Sequence, residues 1–351
     1  MKRLEHTEYT RYIKGKWLAL FALGAIMLGT SLLSLSVGAA SLPLSEILEV
    51  LTGGGADTSR TILFHVRIPR ILTAVSVGIA LAMAGCVMQS VLRNPLASAS
   101  TLGISQGASF GAALAIVYFE TGLVSGGVGM AANPYTVTLF AFLGGIATTI
   151  LILLLSFRSG AAPSTMILAG VAIGAMFTGG TALVQYFADD LRIGSIVYWT
   201  FGNLGRPGFQ EIRILSILNI AGFLYFMLNR WNYNAMESGS DTAKSLGVNV
   251  NLLTLISMVV CTLIAATAIA FVGTISFIGL IAPHIVRKFV GNDYRFLIPC
   301  SALMGGTILL LADIASRTIR APVVLPIGAL TSFLGAPLFL YLIIKKGNMV
   351  K

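Results

Sequence analysis

The residues of this sequence that could do chemistry are few, and their spacing favours the pairing of charges over catalysis. Asp313 is the one acidic residue in the last two apolar stretches, and Arg317 follows it four residues later. Residues four apart share one face of a helix, and an ion inside a membrane is costly unless it is paired. The spacing therefore predicts a structural ion pair, with proton coupling by Asp313 as the alternative.

Nothing in the sequence indicates a metal site, a disulfide or a nucleotide site. The three cysteines are Cys86, Cys261 and Cys300, and they form no C-x-x-C motif and have no histidine at ligand spacing. His284 follows Pro283 with no second His or Cys near it, which favours capping or packing over ligation. The phosphate-binding pattern G-x-x-x-x-G-K-[ST] is also missing. We expect this chain to bind no metal and no cofactor.

One polar segment, residues 230–251, interrupts the apolar sequence. Its central charges are Glu237, Asp241 and Lys244. Ser238 and Asp241 form an S-x-x-D box that predicts the start of a short helix, and Gly247 can end that helix in a left-handed cap. A helix of about nine residues is marginal in water by itself. We therefore expect it to be supported by another surface, with a solvated loop as the alternative.

The composition is that of a polytopic membrane protein. Of the 351 residues, 56% are hydrophobic and 10% are charged, whereas soluble domains carry roughly 25% charged residues. The net charge of +10 could suggest nucleic-acid binding, but the basic residues lie between apolar segments and form no basic face. We expect an all-α protein in a single membrane domain, residues 1–351, with lipid as its surroundings and no nucleic-acid partner.

Ten stretches are apolar enough for membrane spans, each of which needs about 20 residues. They are 17–39, 66–91, 101–119, 134–156, 163–187, 211–229, 250–272, 274–288, 297–316 and 324–344. Several contain Gly or Pro, which is tolerated only where the freed backbone groups are buried in protein or line a cavity. The shorter stretches are therefore expected inside the bundle.

The distribution of basic residues predicts the orientation. With the N-terminus inside, 15 of the 23 Lys and Arg residues lie on the cytoplasmic side, as the positive-inside rule requires. Both termini are then cytoplasmic, residues 1–16 form a cytoplasmic tail, and the first apolar stretch is a retained span. Residues 40–65 and 188–210 become the long outer loops, and residues 230–251 face the cytoplasm. We expect a multi-pass protein of the cell membrane.

Several motifs in the second half and around residues 67–108 are more specific than composition. They include Arg67-Ile-Pro-Arg70, the segments 84–97 and 102–108, Phe271-Val-Gly273 running to Pro283-His284 and Arg287, the segment 291–295, Ala312-Asp313 to Arg317, and Leu325-Pro326 with Gly335-Ala-Pro337. Together they resemble the permease subunit of ABC importers for ferric siderophores, haem and cobalamin. The resemblance runs from about residue 60 to the C-terminus.

The resemblance implies a ten-helix permease of the type II importer architecture. Such a permease pairs with a second copy or a paralogue, with two cytoplasmic subunits that bind ATP and Mg, and with an extracytoplasmic binding protein. Import would proceed by alternating access, and hydrolysis would occur in the partner, so that this chain is no enzyme. An ion-coupled secondary transporter is the rival, but it needs buried carboxylates, and the spans hold few acidic residues.

The resemblance also assigns roles to residues. The ATPase-coupling set is Glu237, Ser238, Asp241, Ala243, Lys244, Leu246, Gly247 and Val248. Within it, Ala243 and Leu246 lie three residues apart, so one apolar helix face would suit a groove. The set that docks the binding protein is Arg67, Arg70 and Arg317, because Arg suits bidentate contact with carboxylates. Snorkelling at the interface is the alternative for these arginines.

The translocation path is harder to read. Candidates for the path or for helix packing are Gln89, Asn94, Pro95, Gly103, Gly107 and Gln185, and Ser105, Gln106 and Thr178 are further polar residues in the spans that could equally bond between helices. Structural roles are expected for Asp313, Gly273, Pro283 and Pro326. Val324 and Asn203 depart from common forms of the family pattern. The cargo is expected to be a ferric siderophore, with haem, cobalamin or an oxyanion as alternatives.

Overall fold

The long apolar runs form helices, because a chain in lipid must satisfy its backbone hydrogen bonds within each segment. The computed structural model describes residues 2–38, 43–119, 135–158 and 163–347. These residues contain helices and connecting turns and no strand. The predicted all-α class is therefore confirmed.

Fifteen α-helices are found in the described ranges. They are α1 (Lys2–Ser36), α2 (Leu44–Leu51), α3 (Asp57–Thr61), α4 (Ile68–Val91), α5 (Ile104–Tyr118), α6 (Tyr135–Arg158), α7 (Pro163–Tyr186), α8 (Asp190–Thr200), α9 (Phe209–Leu228), α10 (Arg230–Glu237), α11 (Ser240–Ser245), α12 (Val250–Val272), α13 (Ile278–Val290), α14 (Tyr294–Thr318) and α15 (Ile327–Gly347). A π-helical segment, Ile62–Arg67, joins α3 to α4.

Each predicted span coincides with one helix. Seven helices are long and apolar enough to cross a membrane, namely α1, α4, α6, α7, α9, α12 and α14. The three remaining predicted spans fall on shorter helices, α5, α13 and α15, and α13 has only 13 residues. The side of the membrane on which each terminus lies stays a prediction.

The core lies where α4 packs against α12, α13 and α14. Glycines allow the closest approaches. A Cβ on Gly85 would clash with the carbonyl of Gly279, and a Cβ on Gly78 would clash with that of Gly305. In membranes such close packing takes the place of the hydrophobic force between helices. By contrast, most side chains of α1 are exposed along its apolar part, so this helix lies at the edge of the bundle.

Glycine and proline also set the short helices. Gly273 ends α12 at φ +84°, and a Cβ there would clash with the carbonyl oxygen of Trp199. Only glycine combines this left-handed backbone with so close a neighbour. Pro283 lies buried within α13, and Pro326 immediately precedes α15. The structural roles of Pro283 and Pro326 stay a prediction.

Candidate coupling surface and translocation pocket

The polar segment 230–251 folds into two short helices, α10 and α11, instead of the single helix expected. Ser238 is the C-terminal cap of α10 and makes no N-terminal capping bond, so its predicted place in a capping box is wrong. The break lies at Gly239, whose φ of +111° allows the chain to turn between the helices. Gly247 has a φ of +84°, as predicted, and the amides of Gly247 and Val248 close α11 by bonding the carbonyls of Lys244 and Ala243.

The exposed rim of this segment differs from the predicted apolar face. Ala243 is fully buried against the permease itself, so the expectation that it faces a partner together with Leu246 is wrong. Leu246 is 68% exposed. Asp241 and Lys244 are exposed as well and form an ion pair of 3.4 Å, with Val248 half-buried beside them. The outward surface is therefore one leucine flanked by two opposite charges.

Glu237 ties α10 to the start of α14. The hydroxyl of Tyr294 donates to Glu237 Oε1 at 2.8 Å, and Asn292 Nδ2 donates to Oε2 at 3.1 Å. Because both carboxylate oxygens are used within the chain, Glu237 holds the helix in place. Sequence reasoning placed it among the coupling residues without these two partners, which lie more than 50 positions away.

Asp293, to which the sequence assigned no role, is the centre of an ion network at the start of α14. It caps α14, accepts from Arg295 Nη2 at 2.7 Å and from Asn234 of α10 at 3.3 Å, and pairs with Lys16 of α1 at 3.4 Å. Burial alone would raise the pKa of this carboxyl, but the hydrogen bonds from Arg295 and Asn234 and the charge of Lys16 lower it to about 2. One ionised carboxylate thus connects three helices.

A pocket of about 530 Å³ lies next to the segment that contains α10 and α11. Its walls include Gln89, Asn94 and Pro95, three of the candidates for the path. Gln89 donates to the carbonyl of Gly279 at 3.3 Å and accepts from Arg287 at 2.5 Å, so it joins α4 to α13. Arg93, another wall residue, donates to Ser240 of α11 at 3.2 Å. This pocket therefore contacts the predicted coupling segment directly.

The three arginines predicted to dock a binding protein are not free at the surface. Arg67 and Arg317 are 4% and 8% exposed. Arg317 Nη2 lies 2.9 Å from Asp313 Oδ2, which confirms the predicted ion pair, and Arg70 Nε donates to Asp313 Oδ1 at 2.8 Å. Asp313 itself is fully buried. The docking expectation is wrong for this structure because the fold engages these guanidinium groups inside the chain.

The same arginines hold the end of α1. Arg67 donates to the carbonyl of Leu35, and Arg317 donates to the carbonyl of Val37 at 2.8 Å and to Ser34 Oγ at 2.6 Å. The last carbonyls of a helix have no partner within it, and cations are favoured there. The arginine cluster, meaning Arg67, Arg70 and Arg317 with Asp313, is thus a structural clasp in which Arg67 and Arg317 hold the end of α1 and Asp313 binds Arg70 and Arg317.

A second pocket, of about 360 Å³, is lined almost entirely by hydroxyl and amide side chains. We call it the hydroxyl pocket, and its polar lining is Ser100, Ser105, Gln106, Ser109, Thr178, Thr181, Gln185, Thr200, Thr274 and Ser276. It includes Gln185, a predicted path residue. Gly103 and Gly107 lie outside its lining and pack against Gly174 and Gly144, which makes them helix-packing residues. The lining comes from the turn before α5, from α5, α7 and α8, and from the turn after α12.

The described residues contain no group of three or more His, Cys, Asp or Glu side chains placed to hold a metal ion. What they contain is a bundle of helices long and apolar enough to span a membrane, with a charged surface at one end, the arginine clasp at the other and an uncharged polar pocket between helices. Polar groups inside a membrane bundle face its interior or a watery cavity and mark transport paths. This combination is typical of a polytopic transport protein.

Comparison with known proteins gives the family. The FecCD transport family matches residues 26–345. A protein of Methanocaldococcus jannaschii named as an ABC transporter permease protein is 50% identical over 96% of this chain and 97% of its own length. The iron(3+)-hydroxamate import system permease protein FhuB of Bacillus subtilis is 34% identical over 96% of this chain and 86% of its own length. Other relatives are named for Fe(3+)-citrate and hemin.

A solved structure of a metal-chelate type ABC transporter in an inward-facing conformation has the same fold. It superposes with a TM-score of 0.82 at 30% identity and covers 93% of this chain and 98% of that one. The chain belongs to the FecCD transport family. It is a multi-pass permease subunit of the cytoplasmic membrane, part of an ABC importer for iron complexes, and a transport subunit and not an enzyme. Membership implies ATPase and substrate-binding partners.

Proposed function

We propose that this chain moves a ferric siderophore into the cytoplasm by alternating access. It would act with a second copy of itself, two ATPase subunits that bind ATP and Mg, and an extracytoplasmic binding protein. The relative named for iron(3+)-hydroxamate import supports this cargo. The single domain of residues 1–351, with its tail 1–16 and the segment 230–251 on the cytoplasmic side, belongs to the same proposal.

The main support for this proposal is the coupling surface, formed by residues 237–248. Leu246, Asp241 and Lys244 form its exposed rim, while Glu237 and Asp293 bind the helices behind it to α14 and α1. A partner that pushes on the rim therefore moves helices that are held to the bundle by hydrogen bonds and ion pairs. The fully buried Ala243 strengthens this connection, because it packs α11 against the chain.

We propose that the binding protein docks on two arginines outside the cluster of Arg67, Arg70 and Arg317. Arg206 and Arg320 are both exposed. Arg206 follows Gly205, where an added Cβ would lie 3.4 Å from Arg70 Nη1, and Arg320 lies just beyond α14 and the clasp residue Arg317. Exposed arginines of this kind steer a negatively charged partner and are sensitive to salt.

Transport by the reconstituted complex tests the proposal. Proteoliposomes containing the permease and its ATPase, with the binding protein present, are expected to accumulate ⁵⁵Fe-labelled ferric hydroxamate only when ATP is supplied on the ATPase side. Uptake that persists without the ATPase and follows a proton gradient would contradict the mechanism. Accumulation of haem or cobalamin in place of the hydroxamate would leave the mechanism intact and replace the cargo.

The coupling surface has its own test. Leu246→Asp places a charge in the apolar contact and is expected to reduce co-purification of the ATPase at least tenfold, since tenfold corresponds to about 1.4 kcal/mol. Leu48→Asp is the matched control, because Leu48 is 58% exposed on α2, in the predicted outer loop. Equal co-purification of the two variants would remove Leu246 from the docking surface.

A further inference from the structure

One face of helix α1 is exposed along its apolar part. This face begins with the exposed Lys14 and continues with apolar side chains that are 48% to 71% exposed, namely Trp17, Leu18, Phe21, Leu28 and Leu32. These positions follow one another at the spacing of helical turns, so they share one side of the helix. In a membrane this side of α1 contacts lipid, and it presents one cation at the head of an apolar stripe.

Aromatic rings and guanidinium groups continue from the head of this stripe onto α14 and α10. The ring of Trp17 meets that of Phe296 edge to face, with centroids 5.5 Å apart. The guanidinium carbon of Arg295 lies 4.8 Å from the ring centroid of Trp231, and that of Arg230 lies 5.9 Å from the same ring. A cation over an indole ring is attracted to it. We call Lys14, Trp17, Arg230, Trp231 and Arg295 the aromatic–basic seat.

The aromatic–basic seat lies where three apolar helices end. Helix α9 ends at Leu228, just before Arg230, and Arg295 is near the start of α14. The apolar part of α1 begins near Trp17. All three helices are long and apolar enough to cross a membrane. The ends of membrane spans lie at the level of the lipid headgroups, where tryptophan is enriched, so the seat lies at this level, on the side predicted to be cytoplasmic.

The seat holds more positive charge than its neighbours neutralise. Asp293 accepts from Arg295 at 2.7 Å and pairs with Lys16 at 3.4 Å, so one carboxylate serves two cations. Arg230 donates to a backbone carbonyl at the end of α9 at 2.6 Å. Among the described side chains, neither Arg230 nor Lys14 has a carboxylate within ion-pair distance. The arginines of the clasp, in contrast, are bonded inside the chain, so the seat is the end of α1 at which cations are left for an external anion.

We propose that the aromatic–basic seat binds the phosphate headgroup of an anionic phospholipid, whose acyl chain lies along the apolar stripe of α1. Trp17 and Trp231 are 48% and 55% exposed, so their rings contact the glycerol region while Lys14 and Arg230 bind the phosphate. A zwitterionic lipid carries an ammonium group that these cations repel, and a soluble anion would leave the apolar stripe unused. The inference goes beyond the proposed function, because it assigns a ligand other than the cargo to a site outside the coupling surface.

Native mass spectrometry of the full chain tests the seat. The permease in detergent receives an equimolar mixture of phosphatidylglycerol and phosphatidylcholine with identical acyl chains, and the ratio of the two lipids that stay bound is measured. We expect phosphatidylglycerol to exceed phosphatidylcholine by about tenfold or more, since two basic residues without a carboxylate partner contribute. One basic residue near a bilayer surface strengthens the binding of anionic lipid about fivefold. Lys14→Gln and Arg230→Gln should therefore each lower the ratio about fivefold, whereas Lys14→Arg should keep it.

Lys288→Gln is the matched control, because Lys288 is also exposed but lines the pocket next to α4 and lies outside the seat. It is expected to leave the ratio unchanged. The inference is overturned if the two lipids are retained equally, if Lys288→Gln lowers the ratio as much as Lys14→Gln, or if inorganic phosphate displaces phosphatidylglycerol where chloride of the same ionic strength does not. It is also overturned if the Lys14 and Arg230 variants keep the lipid ratio but lose the ATPase on co-purification, which would assign the seat to the ATPase.

Discussion

Removal of the Asp313 carboxylate is expected to destabilise the bundle strongly. Asp313 is fully buried and lies 2.8 Å from Arg70 and 2.9 Å from Arg317. Asp313→Ala would leave two guanidinium groups facing each other at the outer end of α14 without a counter-charge. Breaking a buried pair by deleting one partner costs about 3–5 kcal/mol, most of it from the charge left behind. We therefore expect Asp313→Ala to lower the free energy of unfolding by about 3 kcal/mol or more. Asp313→Asn should lower it by a smaller amount, because an amide oxygen can still accept from Arg70.

Unfolding in mixed detergent micelles measures this free energy directly. Arg192→Ala is the matched control, because it also removes an Asp–Arg pair, but one that is exposed and 3.4 Å long, and such pairs contribute about 0–1 kcal/mol. It keeps Asp189, whose side chain caps α8 by accepting from the backbone amide of residue 192. In a double-mutant cycle, adding Arg317→Met to Asp313→Ala should restore part of the lost free energy of unfolding, since it deletes one of the two unpaired charges. If Asp313→Ala costs no more than Arg192→Ala, the clasp is not a stabilising element and the reasoning fails.

Two further predictions concern charges at opposite ends of the molecule. The pKa of Asp293 is lowered from 3.8 to about 2. Its ionised form therefore adds about 2 kcal/mol to the free energy of unfolding above pH 5, and this contribution is lost as the pH falls from about 4 to 2. In urea unfolding, Asp293→Asn should be less stable than the wild type at pH 6 but not at pH 2, and a difference that stays constant with pH would contradict this. The double variant Arg206→Glu and Arg320→Glu should weaken association with the binding protein at low salt, and should weaken it less at 0.5 M salt. An effect that does not depend on salt, or no effect, would show that the binding protein docks elsewhere.

The sequence predicted most of the fold because the membrane imposes a simple rule on it. Lipid requires helices of a certain length, and an apolar run of that length is visible without any knowledge of tertiary contacts. The Asp313–Arg317 pair was predicted for a similar reason, since both residues lie on one helix and their spacing fixes their separation. Gly247 was predicted because a left-handed helix end favours glycine wherever it occurs.

The errors concern residues whose partners are distant in sequence. Arg67 and Arg70 have the appearance of surface arginines, but α1 supplies carbonyls to one and α14 supplies Asp313 to the other, from 32 and 243 positions away. Ala243 was assigned to a partner because it lies three residues from Leu246, on one face of the predicted helix, but the permease itself buries it. Ser238 was predicted to cap the start of the helix, but it is the C-terminal cap of α10, and Gly239 stands at the N-terminal cap of α11. The local sequence pattern does not show whether a side chain contacts another part of the same chain or a partner protein.

Helix α14 connects the two charged ends of the molecule. It begins at the Asp293 network and carries Asp313 about 30 Å further along, at about 1.5 Å of rise per residue. Because Lys16 near the start of the apolar part of α1 and Ser34 near its end are bonded to these two sites, α1 and α14 are joined at both ends. A displacement of α10 acts on Asp293 through Asn234. Such a displacement either moves α1 and α14 together as one body or breaks an ion pair. Because the pairs around Asp313 are buried, moving the two helices together costs less free energy than breaking a pair.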